Sequence, residues 1–225
     1  MQRYVFYGNF AIRKSRYMRK ILYIHGMGGG ADSRIPSILQ ECIQNPVIVR
    51  TYDFDPEPAA VQIASWVEEV RPALIIAESL GSLHALRLQG MPIIFVSPAL
   101  NAPYFFRFLS WTTFLPGMTL LLDRIYKPRS GDRQQLHFTF RVLRKYRRHR
   151  IEAMKAVRNT SYENQVFAFF GTDDHYRKQG VVSIKTWKKH FGDSYSVYNG
   201  THFMEEEYVR SILVDKVMEV LNNNK

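Results

Sequence analysis

Short, uninterrupted apolar runs alternating with helix-patterned stretches constrain this chain more than any other feature. Ile21-Leu22-Tyr23-Ile24, Val47-Ile48-Val49, Ala73-Leu74-Ile75-Ile76-Ala77 and Pro92-Ile93-Ile94-Phe95-Val96 are each too short for a helix, and none alternates apolar with polar residues. Such runs are typical of strands buried on both faces, as in parallel sheets. Two further strands are read at 166–170 and 195–198. Helical spacing of apolar residues marks 32–43, 58–70, 80–89 and 204–221. The alternation predicts an α/β fold: a mostly parallel, doubly wound sheet with helices on both faces.

Residues 99–162 break the rhythm without a strand of comparable strength, and are read as a helical cap inserted between two sheet strands. The 225 residues suit one domain, residues 18–225, preceded by a basic N-terminal extension over 1–17. Met18 opens the run MRKILYIHG, so both Met1 and Met18 stand as candidate starts.

Charge is concentrated in two places. Thirty-one basic against twenty acidic residues give a net +11. Residues 1–20 carry six basic side chains and no acid, while 127–158 carry eleven against Asp132 and Glu152. The excess therefore describes two surfaces rather than the whole molecule. A single cysteine, Cys42, excludes an internal disulfide and a cysteine-built metal site, and makes a reducing cytoplasm the expected compartment. The uncharged run 108–122 is short for a membrane span and is broken by Pro116-Gly117.

The chemistry concentrates on four loops that follow strands. Ala77-Glu78-Ser79-Leu80-Gly81-Ser82 leaves a buried strand and opens a helix. A serine at that junction sits on a sharp turn with its hydroxyl above the sheet edge, the G-x-S-x-G elbow with Ala77 for the first glycine. Taken alone the motif also fits a helix N-cap. His25-Gly26-Met27-Gly28-Gly29-Gly30 follows the first strand and can turn amides toward one point. The amides of Met27 and Leu80 are the expected oxyanion-hole donors. A dinucleotide-binding loop fits less well, because Gly26, Gly28 and Ala31 match only G-x-G-x-x-A and no acid stands in the usual position at the end of the second strand, Asp53 being the nearest candidate for it.

Gly171-Thr172-Asp173-Asp174 and Gly200-Thr201-His202-Phe203 complete the set. A serine hydroxyl needs an imidazole to take its proton, and the imidazole needs a carboxylate to orient it. Serine, then aspartate, then histidine, each on a loop after a strand, is the α/β-hydrolase order. With HGMGGG, AESLGS, GTDD and GTHF in place, the chain resembles the α/β-hydrolase superfamily over residues 20–221, and most its small bacterial carboxylesterases.

That resemblance implies a serine esterase or thioesterase acting on a small-molecule acyl ester or thioester, without metal or organic cofactor. Its catalytic residues would be Ser79, His202 and an aspartate. The family's acid stands three residues after the strand-ending glycine, which favours Asp174 over Asp173.

Other features carry weaker expectations. Aromatic residues of 104–115 fit a lid, and His25, Phe105 and Trp111 are taken as candidate pocket residues. Lipid contact and plain core packing are rival readings of the same segment. Residues 141–150 hold Arg141, Arg144, Lys145, Arg147, Arg148 and Arg150. They are read either as a solvated helix or as a site for an anionic partner. Nucleic acid is disfavoured, Tyr146 being the one aromatic inside the run. The alternative function is a non-catalytic hydrolase-fold protein that recruits an acidic partner through this basic segment. His84 is expected to point away from the nucleophile, and His175 and Glu78 to face solvent.

Overall fold

The computed structural model describes residues 19–128, 130–159 and 165–223. The basic extension expected over 1–17, with both candidate starts, lies outside them.

Six parallel strands form one sheet: β1 (Ile21–Ile24), β2 (Val47–Val49), β3 (Leu74–Glu78), β4 (Ile93–Val96), β5 (Val166–Gly171) and β6 (Tyr195–Tyr198). Their order is β2-β1-β3-β4-β5-β6. The register sets Ile24 beside Ala77, Ala77 beside Phe95 and Phe95 beside Ala168. Alternate side chains enter opposite cores because the pleat has a period of two. Ile21, Tyr23, Leu74, Ile76, Ile94 and Val96 face one core. Leu22, Ile24, Ile75, Ala77, Ile93 and Phe95 face the other. Continuous apolar runs are needed because both sides are covered, and each fully buried aliphatic side chain contributes about 1.5–3 kcal/mol.

The first core is closed by α1 (Arg34–Cys42), through Ile35, Ile38 and Leu39, and by the C-terminal helix. That helix begins at α9 (Glu206–Tyr208), passes through a π-helical stretch at Val209–Leu213 and ends as α10 (Val214–Asn223). On the opposite face lie α2 (Pro56–Val70), with Ala59 and Ile63 inward, and Trp187 of α8 (Ile184–Phe191). Asp55 caps α2 by accepting from the Glu57 amide, which starts the helix two residues before the expected 58.

The helix expected over 80–89 is much shorter. A 3₁₀ turn at Ser79–Gly81 leads into α3 (Ser82–Ala85), and the chain then closes through three-residue bonds, Arg87 N to His84 O and Leu88 N to Ala85 O. Serine through leucine at 82–86 are all buried, so apolar spacing alone could not mark where the helix stops.

Between β4 and β5 run α4 (Ala102–Thr112), α5 (Met118–Ile125) and α6 (Phe140–Asn159). The last packs on α2, α3 and α4 and buries Leu143, Tyr146, Ala153, Met154 and Val157 in the main core. Its basic residues therefore do not surround the helix. Arg144 lies over the Phe140 ring, Lys145 pairs with Asp55 and Glu57, and Arg150 donates to the Leu100 carbonyl. Among the described residues no helix is long and apolar enough to cross a membrane.

Candidate active site

Ser79 follows β3 with φ +48°, in the left-handed region that non-glycine residues rarely adopt. The turn is held because the start of α3 lies close against the end of β1. A Cβ on Gly81 would fall 2.4 Å from the His25 carbonyl oxygen and 2.7 Å from that of Ile24. One on Gly26 would stand 3.0 Å from the Ser79 Cβ. Behind the serine, Ala77 is fully buried. The Ser79 carbonyl accepts from the Ala99 amide, tying the elbow to the segment that enters α4.

The loops after β5 and β6 meet in the same way. A Cβ on Gly171 would lie 2.3 Å from the Gly200 carbonyl oxygen, and the Asp173 amide donates to that oxygen. This contact turns the Asp174 side chain inward, where it is fully buried, while Asp173 is exposed. His202 Nδ1 is 2.8 Å from Asp174 Oδ2, and His202 Nε2 is 2.9 Å from Ser79 Oγ. Asp174 Oδ1 accepts from the Tyr176 amide, capping the short helix α7 (His175–Lys178). Burial raises the Asp174 carboxyl, but hydrogen bonds from His202 and from the Tyr176 and Arg177 amides hold it below the usual carboxylate range. A charged carboxylate on Nδ1 favours the tautomer whose Nε2 is free to accept a proton from the serine.

These groups border a cavity of about 910 Å³. Its apolar wall includes Phe105, Phe106, Phe108, Leu109 and Phe138, and its polar rim Arg34, Glu78, Arg133 and Gln179. Met27 and Leu80 also line it, and neither backbone amide has an acceptor among the described residues.

Of the three candidate pocket residues, only Phe105 lines the cavity. His25 is sealed behind it, stacked on Tyr52 at 4.2 Å, with burial lowering its imidazole to about 4. Trp111 is exposed and turned toward Phe114 and Phe140. His84 is buried behind the elbow against Tyr52 and His149. Glu78 departs from its expected exposure: it lines the cavity and accepts from the Tyr23 hydroxyl at 2.7 Å. His175 is exposed as expected, its ring against Tyr176.

Two supporting residues carried no sequence signal. Gln134, buried in the connection to α6, accepts from the Gly28 amide through its side-chain oxygen, and its backbone N–H donates to the Gly29 carbonyl. Arg34 donates to the carbonyls of Phe203 and Met204, just beyond His202. No cluster of histidine, cysteine or carboxylate side chains able to hold a metal occurs among the described residues.

No family model matches the chain, and no curated protein matches it. Solved structures do. MenH from S. aureus aligns with a TM-score of 0.54 at 12% identity, over 92% of this chain and 94% of that one. A structure described as the metagenome-derived lipolytic enzymes LipS and LipT aligns at 0.57 and 10% identity, over 92% and 94%. The thioesterase domain from the curacin biosynthetic pathway aligns at 0.53 and 12% identity, over 90% and 92%. At such identities the likeness speaks for architecture alone. The chain has the α/β-hydrolase fold.

Proposed function

We propose that this chain is a serine hydrolase that cleaves a carboxylic ester or thioester through an acyl-enzyme. The observation that carries the reading is the relay of short contacts from Ser79 Oγ through His202 to Asp174, opening on a cavity with an apolar wall. In the proposed reaction Ser79 Oγ attacks the acyl carbon while its proton passes to His202 Nε2. The carbonyl oxygen gains negative charge and is held by the amides of Met27 and Leu80. His202 then returns the proton to the leaving alcohol or thiol, and the carbon–oxygen or carbon–sulfur bond breaks. Water next gives a proton to Nε2 and attacks the acyl-serine, releasing the acid and restoring Ser79. Asp174 stabilises the imidazolium formed in each half-reaction.

The cavity supports an acyl group of small to medium size, since aromatic side chains of α4 line the same cavity as the nucleophile. The alternative of an acidic partner at 141–150 loses support because Lys145, Arg148 and Arg150 are engaged within the chain.

A fluorophosphonate probe tests the reading. Covalent labelling is expected in the wild type and absent in Ser79→Ala and His202→Ala, with the same variants inactive on a panel of acyl esters and thioesters. A folded wild-type protein that neither labels nor turns over any acyl substrate overturns it.

A further inference from the structure

The segment joining α4 and α5 presents an apolar surface that nothing in the described chain covers. Phe108 is 75% exposed, Phe114 62% and Leu120 74%, and Trp111, Leu115 and Ile125 are also exposed. These residues are close in sequence, on two short helices and the Pro116-Gly117 turn between them. Large apolar side chains clustered in this way mark an interaction surface rather than scattered exposure.

The surrounding charge is of one sign. Arg107 shares a helical face with Tyr104 and Trp111, and Arg124 shares one with Leu120 and Leu121. Trp111 and Phe114 meet the Phe140 ring, over which Arg144 lies. Arg147 follows one turn later on that face of α6. None of Arg107, Arg124, Lys127, Arg144 or Arg147 makes an ion pair with the described residues. The acid of this region, Asp123, is held by His137 and by the Phe138 amide.

We propose that this face docks on an anionic lipid bilayer, with the turn between α4 and α5 inserted and the arginines at headgroup level. An apolar tip rich in aromatic residues and ringed by cations fits the boundary between acyl chains and negative headgroups. A second copy of the chain fits less well. A two-fold pairing over this patch would gather Arg107, Arg124 and Lys127 of both copies in one interface, with Asp123 already held within each chain. The proposal does not depend on the hydrolase reading, because, of the exposed residues named, only Phe108 also lines the cavity.

Co-sedimentation of the full chain with phosphatidylcholine vesicles, with and without about one-third phosphatidylglycerol, tests it. Binding is expected to the anionic vesicles, weakening as salt rises, with little to the neutral ones. Phe114→Asp with Leu120→Asp is expected to lower anionic-vesicle partitioning roughly tenfold or more, leaving turnover of a soluble ester unchanged. Arg124→Glu is expected to lower it by about fivefold or more. Retained binding in the Phe114→Asp/Leu120→Asp protein would place the contact elsewhere, for example at the basic N-terminus, and overturn the proposal. So would equal binding to neutral vesicles, no binding at all, or a dimer in sedimentation that the same two substitutions dissociate.

Discussion

Gly81 lies so close to the carbonyl of His25 that a Cβ placed on it would stand 2.4 Å from that oxygen. The contact joins the start of α3 to the end of β1, so one position governs both the serine turn and the neighbouring glycine loop. Gly81→Ala must push backbone against backbone, and a loss of about 1–3 kcal/mol of stability is expected. Because the displaced carbonyl precedes Gly26 and Met27, probe labelling at Ser79 should fall as well. Gly90→Ala is the control. Its Cβ meets nothing within 4 Å, and the cost there is the positive φ alone. Urea melts and labelling of the two variants would check this, and equal behaviour would remove any special role for the contact.

Arg34 positions the histidine loop from outside it. Its guanidinium donates to the carbonyls of Phe203 and Met204, and Glu205 accepts from the Thr201 amide on the other side of His202. Arg34→Met should release one of these two ties. Misplacement of a catalytic group by about 1 Å costs up to about a hundredfold, so a drop of roughly ten- to a hundredfold in kcat is expected. Arg34→Lys should recover part of it. An unchanged kcat in Arg34→Met, measured on any ester the wild type turns over, would show that the loop holds itself.

Stability should fall with pH through a window set by buried histidines. Burial lowers His25 and His149 to about 4, and lowers His84 as well. Their pKa values are depressed in the folded state, so the unfolded chain binds more protons between about 4 and about 6.5. Stability is therefore complete above about 6.5 and drains as pH falls toward 4, by up to about 3 kcal/mol for each of His25 and His149. Asp174 acts in the same direction, its contribution being lost as pH falls through its own depressed value. Beside Tyr52 and His149, neither ring nitrogen of His84 has a hydrogen-bond partner among the described residues. His84→Phe should consequently flatten the pH dependence without lowering stability at neutral pH. Denaturant midpoints measured from pH 4 to 8 would show it.

How much of this was legible in the sequence follows from what each element depends on. The strands were readable because burial on both faces leaves an unbroken apolar run, as in Ile21–Ile24. The loops after β3, β5 and β6 were readable because close packing demands glycine at fixed places, Gly81 and Gly171 against neighbouring backbone and Gly200 against the side chains of Tyr198 and Glu205. The end of α3 was not, since every side chain there is buried whatever the backbone does. Nor was the buried face of α6, where the density of arginine hides the spacing of Leu143, Tyr146, Ala153 and Val157. Gln134 and Arg34 escaped because they act on backbone groups more than a hundred residues away, which leaves no local pattern.

The choice between adjacent aspartates offers the sharpest test of the proposed site. The sequence reading leaned on the family's three-residue count from Gly171, whereas burial separates the two fully: Asp174 is inside and bonded to His202 Nδ1, and Asp173 is outside. Asp174→Asn keeps the shape but presents an amide to the imidazole, favouring the tautomer whose Nε2 carries the proton and cannot accept another. A loss of about 10⁴ in kcat is expected, by analogy with the same change in other triads. Asp173→Asn should stay within about twofold of wild type, since exposed changes away from such features have small effects. Single-turnover acylation by a chromogenic ester would separate the two variants. If Asp173→Asn instead proved the inactive one, the loop after β5 would have to rotate in solution, and the proposed triad would lose its acid.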